Sequence, residues 1–126
     1  DASQEDLFNL YEEFLIKIYK GDDIELTLRH FELDLLDMLG YGLDFESDIE
    51  KGQPIDTNKN YSFIPQSGFR ESTNSNFSGE DIINIKIRDL SKVSKKHLKH
   101  ITQEAIHFCL DGRELSSRDI FKRIQQ

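Results

Sequence analysis

The chain has 126 residues, 24 of them acidic and 16 Lys or Arg, for a formal net charge of −8. That length supports one modest hydrophobic core, so neither a disulfide framework nor a structural metal is needed for folding. The lone cysteine, Cys109, excludes an intrachain disulfide and a Cys-only zinc site and suits a reducing cytosol, and no run approaches the roughly 18 apolar residues of a membrane span.

The chain opens Asp1-Ala2-Ser3 and its only methionine is Met38, so it is expected to be a fragment of something longer. Residues 3–19 read as an amphipathic helix: Ser3 caps with Asp6, and Leu7, Leu10, Tyr11, Phe14, Leu15 and Ile18 recur at helical spacing. Gly21 ends it. A second helix is predicted from about Ile24 to Leu39, with Ile24, Leu28, Phe31, Leu35, Met38 and Leu39 on its apolar stripe and Gly40 and Gly42 as its stop. The short link implies two antiparallel neighbours.

From Leu43 to Asn76 the helical period disappears, and Gly52, Pro54, Pro65, Gly68 and a run of small polar residues take over. A structureless loop of that size is unexpected in a small domain, so short strands are predicted at Tyr61 to Ile64 and Gly68 to Arg70. Glu71 to Asn76 is the segment expected to be disordered. Helical signals return at Ser78, which caps with Asp81 while Phe77 and Ile82 form a hydrophobic staple. That short helix reaches about Ile87. The next runs from about Lys95 to Leu110 on a stripe of Leu98, Ile101, Ala105, Phe108 and Cys109, with Gly112 as its C-terminal cap. A last capping box, Ser116 with Asp119, carries Leu115 and Ile120 as its staple and predicts a fifth helix. The expected fold is therefore mainly α: one domain over residues 1–126, of about five helices, with residues 43–77 as an irregular β-containing excursion between helices 2 and 3.

The net charge hides a division. Residues 1–50 sum to −12, residues 51–85 to −1 and residues 86–126 to +5. Oppositely charged parts either attract each other or face different partners. The basic cluster Lys92, Lys95, Lys96 and Lys99, continued by Arg113, Arg118, Lys122 and Arg123, is the candidate for nucleic-acid backbone contact, against the alternative of a solvated face. No aromatic residues are interleaved with it, so a base-stacking platform is not indicated.

Arg29 is the only base between Lys20 and Lys51. Beside Leu26, Phe31 and Leu33 it is placed to hold a carboxylate at the mouth of an apolar pocket, or else to pair with Glu25, Glu32 or Asp22. His97, His100, Glu104 and His107 share a helical flank, but one helix surface does not wrap a tetrahedral ion, and no metal site is assigned. Cys109 lies on the apolar stripe and reads as an inert buried thiol. No phosphate loop, nucleophile elbow or catalytic triad spacing is present.

The string Arg29-His30-Phe31-Glu32-Leu33-Asp34-Leu35-Leu36-Asp37-Met38-Leu39-Gly40-Tyr41-Gly42 resembles the R-x-F-E-x-x-L-L-x-x-L-G-Y-G segment of the bacterial DNA repair protein family RecO. The likeness continues through Gly52-Gln53-Pro54-Ile55-Asp56, Tyr61, Gly68-Phe69 and Phe77-Ser78-Gly79. It ends in Leu110-Asp111-Gly112-Arg113-Glu114-Leu115-Ser116-Ser117-Arg118, similar to the family's L-G-G-R-x-L-x-S-R signature. The resemblance implies the C-terminal region of a RecO-like recombination mediator without its N-terminal OB-fold domain. It further implies a cytoplasmic, nucleoid-associated, non-enzymatic protein with no cofactor and no membrane association. The implied partners are RecR, the C-terminal tail of single-stranded-DNA-binding protein, single- and double-stranded DNA (mainly through the absent domain) and, indirectly, RecA.

Many members of that family carry two C-x-x-C zinc pairs in the excursion, but Asp48 and Lys51 stand where the first is expected, so a zinc-free excursion held by its own packing is predicted. The peptide tail ends in an aromatic residue bearing a carboxylate, which calls for an apolar pocket with a cation at its rim. Arg29 is the cation expected there, with walls from Leu26, Phe31 and Leu33 or from Tyr11, Phe14 and Leu15.

Overall fold

A computed structural model describes residues 3–112. Helix α1, Gln4–Tyr19, starts at the expected capping box, in which the Ser3 side chain accepts the Asp6 amide and the Asp6 carboxylate accepts the Ser3 amide. Gly21, at φ +90°, turns the chain into α2, Ile24–Met38, whose N-cap Asp23 accepts the Leu26 amide. Four strands follow: β1 Asp44–Asp48, β2 Asn60–Ile64, β3 Gly68–Glu71 and β4 Phe77–Ser78. Then come α3, Gly79–Lys86, a 3-10 turn at Leu90–Lys92, and α4, Lys95–Gly112.

The strands form one mixed sheet in the order β1-β3-β2-β4, with β1 parallel to β3 and the other two pairings antiparallel. This overturns the mainly α reading. The chain is an α/β fold, and among its described residues there are four α-helices; the expected fifth falls outside them. Residues 43–77 are the floor of the core, since Tyr61 and Phe69 in β2 and β3 are among its most buried side chains. The two strands read from the sequence are β2 and β3, each longer by one residue at one end. β1 escaped because Asp44-Phe45-Glu46-Ser47-Asp48 has one apolar side chain and three carboxylates, a composition poor in strand propensity. It pairs because Phe45 packs on Phe69 at 5.7 Å. The segment expected to be disordered is a turn: the Ser72 amide donates to Asn60 O at 3.0 Å, and Ser75 to Ser72 O.

The main core joins Leu33 of α2, Ile82 and Ile85 of α3, Leu90, Val93, and Leu98 and Ile101 of α4 to Ile55, Tyr61 and Phe69 of the sheet layer. Leu36, Ala105 and Cys109 close a second cluster. Helix α1 has no buried residue and packs mainly on α2, with Leu10 and Phe14 at the seam and Leu7 and Ile18 half-buried on the same flank. Helix α2 is thus a middle layer, apolar on two faces. Of the predicted stripe, Leu28, Phe31, Leu35 and Met38 form the half-buried side that includes the α1 contact, Ile24 is exposed and Leu39 packs on the second cluster, whereas Arg29, Leu33 and Leu36 are buried in the interior.

Candidate functional site

The first site is the seam between α1 and α2. Phe14 packs on Phe31 at 4.9 Å and Tyr11 meets it edge-on at 6.5 Å. Phe14 and Phe31 border a small cleft of about 20 Å³ lined also by Leu10, Glu13, Lys17, Thr27, His30 and Asp34. Burial, helped by the nearby Arg88 and Lys17 charges and partly opposed by Asp34, holds the His30 imidazole below its ordinary pKa.

Of the predicted pocket residues, Tyr11, Phe14 and Phe31 are brought together here, and Leu15 stands exposed on the outer side of α1. Leu26 and Leu33 face the core instead. Arg29 is also turned inward, only 6% exposed. Its guanidinium pairs with Glu32 and donates to Thr102 Oγ1 of α4 at 3.4 Å. The position expected to offer a rim cation is therefore an interior ion pair, and the cation at this cleft is Lys17. The sequence signal for Lys17 was its place on the same flank of the first helix as Leu10 and Phe14.

The second site is the exposed flank of α4. Lys92, Lys95, Lys96 and Lys99 all face solvent. Lys92 is tied to Asp89 at 3.0 Å, but among the described residues Lys95, Lys96 and Lys99 form no ion pair. Arg113, Arg118, Lys122 and Arg123 lie outside the described residues.

What the sequence missed is an aromatic partner reaching this flank through space. Phe77 of β4 lies against His97 at 5.0 Å and His100 at 6.0 Å, the latter nearly parallel at 23°. The two segments are some twenty residues apart, and only the sheet and α4 packing together join them.

The family called Recombination protein O C terminal matches residues 1–119. The chain belongs to the RecO family. It is 33% identical to DNA repair protein RecO of Pseudoalteromonas atlantica over 94% of its own length and 51% of that protein's. The figures for the RecO of Vibrio vulnificus are 36%, 96% and 51%, and for that of Haemophilus influenzae 34%, 91% and 50%. The chain thus spans about half the length of the RecO relatives it matches.

The zinc pair of many RecO proteins does not fit the residues of this member. Asp48 is buried, and its carboxylate accepts the amides of Glu50, Lys51 and Glu71 at 2.7, 2.9 and 2.9 Å. Burial alone pushes this carboxyl up, but the three amide donors and the Lys51 charge outweigh it and hold the pKa below the ordinary range. Lys51 points its ammonium at Glu71, 3.4 Å away. In this RecO domain the turn is closed by a carboxylate gathering backbone donors. Among the described residues no three His, Cys, Asp or Glu side chains converge as metal ligands, and no helix is long and apolar enough to cross a membrane.

Proposed function

We propose that this RecO-family chain is the partner-recruiting part of a non-enzymatic recombination mediator in DNA repair, and that its α1–α2 cleft takes the C-terminal tail of single-stranded-DNA-binding protein. The observation that carries this reading is the closure of Tyr11 and Phe14 on Phe31 beside the Lys17 ammonium. The half-exposed Tyr11 ring, with Phe14 and Phe31 behind it, offers apolar ring surface at the mouth of the cleft for one aromatic side chain. A cation within reach of its terminal carboxylate supplies the other half of the recognition. Recruitment of RecR and indirect support of RecA loading belong to the same reading. DNA contact by the whole protein is assigned mainly to the half that lies outside this chain.

Titrating the tail peptide into the chain by calorimetry tests it. Lys17→Ala and Phe14→Leu are expected to weaken binding about tenfold each, whereas unchanged affinity in both would move the tail elsewhere. Arg29→Ala is expected to act through stability rather than contact.

A second reading, an auxiliary nucleic-acid module on α4, is favoured by Lys95, Lys96 and Lys99 forming no ion pair among the described residues of a chain rich in carboxylates. Free ammonium groups neutralise phosphates and release counterions, so affinity falls with salt. Changing all three to Ala should flatten that dependence, and no binding at low salt would remove this reading.

A further inference from the structure

An open groove of about 340 Å³ runs between α4 and the start of β4, lined by Asn76, Phe77, Lys96, His97, Lys99, His100 and Gln103. Among the described residues no carboxylate lines it. Lys96, Lys99, His100 and Gln103 are exposed on one helical flank, at the i, i+3, i+4 and i+7 spacing that puts side chains in a row. His97 is anchored behind them, its Nδ1 facing Asp81 of α3 at 4.0 Å while its ring leans on Phe77. Phe77 is in turn wedged against Phe63 and Phe69 of the sheet. The His100 ring, set nearly parallel to Phe77, is thereby a planar surface with a rigid backing and one side open to solvent.

We propose that this groove binds an unstacked nucleotide of a single strand: Lys96 and Lys99 hold its phosphates, the His100 ring, backed by Phe77, stacks its base, and the Asn76 and Gln103 amides meet the base edge. The proposal rests on the second reading above and adds to it a base contact and a strand preference. Each part of the lining has a match in that ligand. Lysines alone fit any polyanion, but a planar ring flanked by two amides fits a base, and imidazole is among the rings on which bases stack. A duplex keeps its base faces covered, so it can use only the lysines. An acidic peptide uses the lysines and leaves the ring and amides idle.

The test is fluorescence anisotropy on the full 126-residue chain with a labelled oligothymidine, an abasic strand of equal length and a blunt duplex of equal length. One base stack of about 1 kcal/mol corresponds to about fivefold in affinity, so the oligothymidine is expected to bind about fivefold or more tighter than the abasic strand. His100→Ala, an exposed helix position where alanine preserves the fold, should erase that preference and leave the salt slope unchanged. Lys96→Ala with Lys99→Ala should weaken both strands equally and reduce the slope by about 0.7 per lysine. Equal affinity for the two strands, a preference for the duplex, a preference that survives His100→Ala, or displacement by oligoglutamate as effective as by oligothymidine would each overturn the proposal while leaving a cationic module in place. No binding of any strand at low salt would remove both.

Discussion

Asp48 illustrates how much one side chain organises. Three backbone amides, two from its own turn and one from Glu71 of the neighbouring strand, converge on its buried carboxylate. Because the folded pKa is depressed, the carboxylate's contribution is complete above its ordinary value of about 3.9 and is lost as pH falls through the folded value. Asp48→Asn keeps the shape and removes the charge, so it should cost about 2 kcal/mol at pH 7, with the difference from the wild type shrinking below about pH 4. Denaturant unfolding at the two pH values measures this.

His30 titrates in a higher window. Its depressed pKa means the folded state binds fewer protons than the unfolded one below about pH 6.5, so stability falls as pH drops from 7 towards 5. A His30→Gln variant should show a flatter stability profile across that range, and an NMR titration of the imidazole reports the shift directly.

At the scale of elements, the middle-layer position of α2 explains why its helix was legible and its faces were not. Apolar periodicity and the Gly40 stop locate it to within a residue, but a helix covered on both sides has two stripes, and only neighbours decide which of them is interior. Arg29 went inward because the stripe that meets α4 is the one it occupies. Leaving Glu32 buried without its cation is costly, so Arg29→Ala should destabilise by about 3 kcal/mol. The double variant Arg29→Met, Glu32→Leu should recover most of that loss in the same unfolding measurement.

Helix α3 has an equally local constraint. A Cβ on Gly79 would stand 1.8 Å from the Asp56 carbonyl oxygen, because the loop before β2 crosses the helix start and Lys59 O accepts the Gly79 amide at 2.8 Å. Gly79→Ala should therefore cost about 3 kcal/mol or more, well beyond its propensity effect, and lower the thermal midpoint accordingly.

Over the whole molecule, the charge division is used in part for internal pairing. Arg88 reaches from the end of α3 to Asp34 and Asp37 at 3.1 and 3.2 Å, and Lys86 to Glu46, so part of the basic segment is held by the acidic one. Among the described residues Lys95, Lys96 and Lys99 form no ion pair. Helix α1 stands apart from the core, with Phe8, Tyr11, Leu15, Ile16 and Tyr19 exposed and none of its residues buried. A chain starting at Gly21 is accordingly expected to keep a cooperative unfolding transition, at reduced stability, while losing tail-peptide binding. Circular dichroism melts and the calorimetric titration check the two halves of that statement.

The four described helices, two of the strands and the caps at Ser3 and Ser78 follow from local chemistry: periodicity, caps and turn residues act over a few neighbours and are visible in any short window. Other features came only with the tertiary structure: the sheet that replaces an irregular excursion, the inward turn of Arg29, the amides gathered by Asp48 and the seating of Phe77 beneath His100. Each joins residues far apart in the chain, and their energies depend on desolvation and packing that no single segment carries.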